Sequence, residues 1–496
     1  MSVLAIDAGT TGVTALIVTP DGRISARGYQ EFIQHFPQSG WVEHNPEDIW
    51  QATLQAVKTA LDGARAAGVA DPVAVGITNQ RETAVLWDRE TLTSPRRAIV
   101  WQDRRTAGIC SSLREDGHEP MVRQRTGLRL DPYFTATKLT WLAQHEPHLW
   151  ATVTSGRVAL GTVDSYLIAR LSRGVWHVTD ASNASRTLLF DIHSGRWSEQ
   201  LCDLFGVPMS ALPQVVASHG VIGHTDPTVF FGLEVPIAGV AGDQQAALFG
   251  QACYSPGDTK CTYGTGSFLL TNTGAVPVES TGGLLTTVAW QEPDGRLTYA
   301  LEGAIFVTGA AVQWLRDGLG LIDSAAEVEA LARTVPDTGG VVFVPALTGL
   351  GAPDWDPRAR GTIVGITRGT TRAHLARATL EAIAFEVRDV MDLMVEETPA
   401  APPATLAVDG GAAANDLLCQ LQATELGITV QRPEVLETTG LGAAFLAGLG
   451  AGVWSSKDEL IHTRRIDSEF APGVRDDGAH RRWRDAVSRS RNWAEA

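Results

Sequence analysis

Short apolar runs alternate with longer stretches of helical periodicity along the chain, the pattern of an α/β protein. Residues 3–18 read VLAIDAGTTGVTALIV: an apolar run, Asp7, a Gly/Thr turn and a second apolar run, which together predict a β-hairpin. Asn45-Pro46-Glu47-Asp48 predicts a helix start, with a capping Asn, Pro in the first turn and acids at the positive end of the dipole. Trp50, Leu54, Val57 and Leu61 then mark one helical face, and residues 73–77 predict a strand ending in NQRET. Further on, a strand over 235–240 leads into GDQQAALFG, and one over 258–263 leads into GTGS, with a return strand over 268–271. This repeats the strand, Gly/Thr turn, strand order of the first hairpin and suggests two related halves, although common turn residues give the same look by chance. Residues 371–394 predict a long helix with Leu380, Ile383, Val387, Val390, Met391 and Met394 on one face. A Pro-rich connector over 399–403 then precedes a strand over 406–408 that ends in DGGAAAND. The segment after Trp454 is charged and carries little pattern.

Composition narrows the class. A chain of 496 residues exceeds the roughly 100–200 residues of a single domain. Its 44% apolar content suits buried cores, yet no apolar run reaches the roughly 18 residues of a membrane span, so no membrane insertion is expected. The start, MSVLAID, lacks the basic region of a signal peptide. Cys110, Cys202, Cys253, Cys261 and Cys419 are scattered with no CxxC spacing, so neither a disulfide framework nor a zinc site is expected, and a cytoplasmic location fits. A net charge of −16 argues against binding nucleic acid or an anionic membrane. It leaves room for a nucleotide held by backbone donors and a metal.

Several motifs carry chemistry. The DAGTTG turn offers close-approaching N–H groups and small hydroxyls to an anion, and a divalent cation would reconcile Asp7 with a phosphate there. An ordinary tight turn is the plainer reading of the same residues. Arg81 and Glu82 of NQRET supply a fork of donors and a pair of acceptors, which a neutral polyhydroxyl compound needs; an isolated Arg-Glu pair is otherwise a surface ion pair. Asp243 follows an apolar strand and suits a carboxylate that accepts a hydroxyl proton during phosphoryl transfer, with Gln244 holding a neighbouring hydroxyl; a helix N-cap is the alternative. GTGS and DGGAAAND suit phosphate and nucleoside approach, or are simply tight turns. Neither a GxxxxGK[ST] loop nor a GxGxxG strand-to-helix turn occurs, so a phosphotransferase here is neither a P-loop enzyme nor built like a protein kinase.

Taken in order, DAGTT, GWVEHNPEDIW, GITNQRET, AIVWQDRRT, TGLRLDPYF, GTVDSYLI, HVTDASNASRT, AGDQQAALFGQ, TYGTGSF, LEGAIFVTGAAVQWLRD, PALTGLGAPDWDPRARG, VDGGAAAND and LGAAFLAGL resemble the FGGY carbohydrate kinases, over about residues 3–473. The resemblance implies an α/β fold of two actin-like (ribonuclease H-like) domains, residues 1–250 and 251–496, with the active site in the cleft between them. The first would carry the polyol site and first phosphate loop, the second most of the nucleotide site. NQRET together with DPYF marks the glycerol-phosphorylating branch, implying an ATP- and Mg-dependent kinase that makes sn-glycerol 3-phosphate at the start of glycerol catabolism. Arg81, Glu82, Tyr133, Asp243 and Gln244 would then bind the glycerol hydroxyls, and Trp101 and Phe268 would wall its carbons. Asp243 would be the general base. Asp7, with Asp243, would hold Mg through water. Thr10, Thr11 and Gly12 would line the first phosphate loop and Thr265 the second, with Gly309, Gln313, Gly411 and Asn415 at the nucleotide. A homodimer or homotetramer is implied.

The chain also departs from this pattern. Where many relatives in that branch read DQGTTSSR, it reads DAGTTGVT, so Ala8, Gly12, Val13 and Thr14 replace Gln, two Ser and Arg. The fixed positive charge near the phosphates is lost. Glu234 stands where fructose 1,6-bisphosphate-binding members have Arg, and Val229 where others carry a phosphorylated His, implying insensitivity to both signals. Two other readings stay open: a family member acting on another polyol or a ketose, and a non-catalytic nucleotide-binding protein of the same fold. The presence of Asp7 and Asp243 speaks against the second.

Overall fold

The computed structural model describes residues 1–494 and is built on two mixed β-sheets. The first hairpin forms as its pattern predicts: β1 (Val3–Ala8) and β2 (Gly12–Val18) pair antiparallel, with Asp7 opposite Thr14. β3 (Ile24–Glu31) extends this meander. Asn45 caps α1 (Pro46–Ala66), its side chain accepting the Glu47 N–H at 3.2 Å. Ile49, Val57 and Leu61 of α1 are buried in the core of this half, each contributing roughly 1.5–3 kcal/mol. β4 (Ala74–Asn79) lies parallel to β1, and β5 (His219–His224) and β6 (Pro236–Gly242) complete the order β5-β6-β4-β1-β2-β3.

The second half repeats this topology. After α2 (Asp243–Gly250) come β7 (Thr259–Tyr263), β8 (Ser267–Gly274), β9 (Leu285–Gln291) and β10 (Leu297–Ile305), all antiparallel to their neighbours in that meander. α3 (Gly309–Asp317) and the long α4 (Arg372–Glu397) follow, the latter covering the predicted 371–394. β11 (Thr405–Asp409), α5 (Asp416–Leu426), β12 (Thr429–Pro433), α6 (Thr438–Gly450) and β13 (Ile466–Phe470) complete the sheet order β9-β10-β8-β7-β11-β12-β13. In each sheet an antiparallel meander leads into a parallel trio, β1-β4-β6 in one and β7-β11-β12 in the other.

The two halves interlock where α2 and α6 cross. A Cβ added at Gly442 would lie 1.8 Å from the Ala246 carbonyl, so only glycine permits this approach. Val3 and Leu16 from the first sheet share a buried cluster with Leu270, Trp290 and Ala407 of the second, and with Phe445 of α6. A helical insertion between β4 and β5, including the helices Glu119–Thr126 and Thr135–His145, has its own core around Leu128, Phe134, Leu139 and Leu160. The charged tail folds too: α7 (Asp477–Ser490) buries Trp483 against Phe385 of α4, rings 5.8 Å apart. Among the described residues no helix is long and apolar enough to cross a membrane, and all five cysteines are free and buried.

Candidate active site

NQRET lies at the carboxyl end of β4, where open α/β sheets bind ligands. Gln80 braces the first hairpin: its N–H donates to Ala8 O at 2.8 Å and its side-chain amide to Gly9 O at 3.0 Å. Arg81 and Glu82 have side chains only 2% exposed, which rules out the surface ion pair. Glu82 adopts φ 61°, a left-handed conformation that costs a non-glycine residue about 1–2 kcal/mol. Two contacts hold it there: Thr135 Oγ1 donates to its carbonyl at 3.0 Å, and its Oε1 accepts from Arg186 Nε at 2.7 Å.

The guanidinium of Arg81 is more committed than its sequence context suggests. One terminal nitrogen donates to Glu302 Oε2 at 2.6 Å and to Gln245 at 3.3 Å. The other donates to Glu302 Oε1 and to the Tyr133 hydroxyl, both at 3.0 Å. The four N–H bonds of the fork are therefore spent on protein, and Nε alone faces Asp243 Oδ1, 3.1 Å away. Glu302 also accepts from Arg186 at 3.0 Å. Burial pushes the Glu302 carboxyl up, but Arg186 and Arg81 more than reverse this and hold it at about 2. Burial outweighs the same arginines at Glu82, whose carboxyl is raised.

Around this cluster several groups keep unspent hydrogen-bonding capacity. Tyr133 accepts from Arg81 and retains its own O–H proton. Among the described residues Glu82 Oε2 has no partner, since only Oε1 is engaged. Gln244 accepts through Oε1 from Lys260 and keeps its NH₂. Asp243 accepts the Gln244 N–H at 2.7 Å through Oδ1, leaving Oδ2. The Trp101 ring lies 5.5 Å from Tyr133 and 6.5 Å from Phe268, forming an aromatic wall beside these polar groups. Trp101 Nε1 donates to Thr10 Oγ1 at 3.0 Å and so ties that wall to the first hairpin turn.

Asp243 is the first residue of α2, whose N-cap is Gly242, so the capping alternative fails. Its side chain is 28% exposed, and burial raises its carboxyl, with Arg81 opposing. Asp7 is likewise raised by burial and by Asp243, to about 7. Among the described residues no hydrogen bond satisfies the Asp7 carboxylate, and Thr14, its cross-strand neighbour, brings no charge. Two neighbouring carboxylates of this kind could hold a hydrated divalent cation beside a phosphate. Among the described residues no group of three or more His, Cys, Asp or Glu side chains is placed to hold a metal ion.

The other predicted residues gather in the second half. Thr265, Gly309, Gln313, Gly411 and Asn415 line one cavity of about 450 Å³ whose apolar walls include Val312, Leu380 and Ile383. The Gly264–Gly266 turn is braced by the start of α3: Thr308 and Ala310 donate to Thr265 O at 2.8 and 3.1 Å. Gly309 allows that contact, since a Cβ there would sit 2.7 Å from Gly264 O. Gly410, at φ 83°, turns the chain from β11 toward Gly411. Asn415 caps α5, its Oδ1 accepting the Leu418 N–H at 2.9 Å, which leaves its amide NH₂ for a ligand. Thr11 is exposed at the hairpin turn, and Gly12 opens β2 against the Tyr29 ring.

Four residues at the site were absent from the sequence-based set: Arg186, Gln245, Lys260 and Glu302. A signal for two of them exists in hindsight. Lys260 in DTKCTY and Glu302 in YALEGAI place a charge inside an apolar strand, and a buried charge requires a partner.

Comparison with known proteins fits this geometry. Residues 2–250 match the family model for the FGGY family of carbohydrate kinases, N-terminal domain, and residues 259–451 match that for its C-terminal domain. The chain is 56% identical over 496 residues to the curated glycerol kinase of Aromatoleum aromaticum, covering 99% of each. It is 50% identical to glycerol kinase 2 of Thermotoga maritima, again covering 99% of each. The crystal structure of Plasmodium falciparum glycerol kinase with ADP superposes with a TM-score of 0.90 at 34% identity, covering 99% of this chain and 98% of that one. A xylulose kinase from Lactobacillus acidophilus shares the fold, with TM-score 0.85 at 19% identity, covering 99% and 96%.

Proposed function

The chain belongs to the FGGY family of carbohydrate kinases, and from that premise we propose that it transfers the terminal phosphoryl group of ATP to glycerol, giving sn-glycerol 3-phosphate. The observation that carries this reading is the unspent hydrogen-bonding set at one place. Glu82 Oε2 and Asp243 Oδ2 remain as acceptors, while Tyr133 O–H and the Gln244 NH₂ remain as donors. Each hydroxyl of a small triol donates once and accepts at least once, so a mixed set of this size suits glycerol. A site built this way rejects analogues lacking a hydroxyl, because its own groups are left unpaired. The aromatic wall of Trp101 and Phe268 would cover the carbon side.

In the proposed mechanism Asp243 takes the proton of the attacking hydroxyl. Burial raises its carboxyl, which suits a base, and Arg81 opposes that rise. Thr10, Thr11 and Gly12 on one side and Thr265 on the other would receive the phosphates, with Gly309, Gln313, Gly411 and Asn415 around the nucleoside. Mg²⁺ bound with ATP would screen phosphate charge and be held through water by Asp7 and Asp243. Residues 1–250 and 251–496 would act as two domains closing over the substrates, excluding water that otherwise competes as nucleophile. Thr14 makes nucleotide affinity the property least inherited from relatives with Arg there. A cytoplasmic homodimer or homotetramer completes the reading.

The test is product identity. Protein incubated with ATP, Mg²⁺ and glycerol is expected to yield ADP and sn-glycerol 3-phosphate in equal amounts, the product being oxidised by an enantiospecific glycerol-3-phosphate dehydrogenase. ADP without phosphorylated glycerol would overturn the proposal.

A further inference from the structure

Lys260 lies on β7 of the second half, fully buried, opposite Leu270 on β8 and Ala407 on β11. Its ammonium donates to Gln244 Oε1 at 2.5 Å, to Thr262 Oγ1 at 2.8 Å and to Phe268 O at 3.3 Å. An ammonium has three donors and no acceptor, so its capacity is used up. Lys260 is therefore not poised to grip a phosphate, as the lysine of a P-loop does. All three contacts instead run to site elements: Gln244 beside Asp243, Thr262 two residues before the second phosphate turn, and the backbone of Phe268 in the aromatic wall.

The contact with Gln244 has a specific consequence. The two faces of an amide are close in shape and opposite in polarity, and only a hydrogen-bond partner fixes which way it points. A donor-only partner accepts nothing but the oxygen, so Gln244 must turn Oε1 to Lys260 and its NH₂ away. We propose that Lys260 is a positioning residue for polyol recognition: from the second half, it locks Gln244 as a pure donor toward a substrate hydroxyl oxygen. The proposal rests on the reading that Gln244 binds the polyol. It adds that this half of the site takes its polarity from a residue of the other half. A lone substitution in the second half then alters glycerol affinity without altering ATP affinity.

A double-mutant cycle tests this in the full chain. Gln244→Ala and Lys260→Met are each expected to raise the KM for glycerol about tenfold, the value of one hydrogen bond in a desolvated site, while the KM for ATP stays within about twofold. The double variant should be no worse than Gln244→Ala, because Lys260 acts through that side chain. Independent, multiplying effects, or an equal rise in the KM for ATP, would make Lys260 merely structural and overturn the proposal. Gln244→Glu adds an arm that keeps Lys260 in place. The new carboxylate retains Lys260 as partner, so the melting temperature should not fall, yet glycerol KM should rise at least as far as in Gln244→Ala. Wild-type glycerol KM in that variant would show that an acceptor face meets the substrate, and would refute the assignment even if Lys260→Met cannot be purified. If Gln244→Ala itself leaves glycerol KM unchanged, the polyol-site reading fails first, which is a separate result.

Discussion

Replacing Tyr133 with Phe removes one oxygen and nothing else. The ring keeps its edge contact with Trp101 at 5.5 Å and its tilted contact with Phe134 at 5.0 Å. Arg81 keeps both bonds to Glu302, at 2.6 and 3.0 Å, and loses only the one to the phenol. Burial pushes the Tyr133 hydroxyl above its ordinary value, so it is a neutral donor throughout the working pH range. A neutral hydrogen bond contributes about 0.5–1.5 kcal/mol net, which corresponds to a loss of about 2- to 12-fold in kcat/KM for glycerol. The loss should be flat with pH, because no charge is removed. It should also shrink for a diol lacking the hydroxyl that the phenol meets, since that complex never contains the bond. Steady-state kinetics of wild type and Tyr133→Phe with glycerol and with the two propanediols supply the numbers. A variant with unchanged kcat/KM for glycerol, or an equal loss on all three substrates, would refute the placement of Tyr133 against a substrate hydroxyl.

Asp243→Asn should cut turnover by about 10²- to 10⁴-fold while glycerol binding, read by calorimetry, partly survives; unchanged turnover would remove Asp243 as the base. Glu302→Gln weakens the anchor shared by the Arg81 and Arg186 guanidiniums, and breaking a buried pair costs about 3–5 kcal/mol, so a clearly lower melting temperature is expected and an unchanged one would contradict the ion cluster. Glu292 is held down at about 2, by a hydrogen bond from His219 that outweighs burial, helped by Lys457. A lowered carboxyl stabilises the fold above its unfolded value and loses that contribution as pH falls, so the melting-temperature gap between wild type and Glu292→Gln should narrow from about pH 5 toward about pH 3. Glu234 is exposed and its carboxylate repels a sugar phosphate, so millimolar fructose 1,6-bisphosphate should leave the rate unchanged, and Val229, which cannot be phosphorylated, should leave the protein unlabelled by a phosphocarrier system; inhibition or labelling would contradict these.

What could be read in advance was local. The Asn45 cap, the hairpin around Asp7 and the face of α4 follow from spacing within a few residues, and they formed as the pattern dictates. Arg81, Glu82 and Asp243 stand at strand ends next to turn residues, where periodicity stops and chemistry becomes visible. Glu302 and Arg186 stand 221 and 105 positions away from Arg81 in sequence terms, and only the meeting of β10 and the helical insertion with β4 brings them to it. The fork of Arg81 looked free because its partners are supplied by topology. Lys260 stands out as a charge within a strand, but its partners too are supplied by topology. The tail was illegible for a different reason: α7 is rich in charge, and Trp483 is the chief apolar anchor it offers.

The proposed activity is selection of glycerol and its phosphorylation from ATP. ADP release measured under matched conditions with glycerol, erythritol, xylulose and gluconate tests it most directly. The highest kcat/KM is expected for glycerol, by a wide margin. A higher value for a ketose or an acid sugar, or ADP release that does not depend on the polyol, would contradict it.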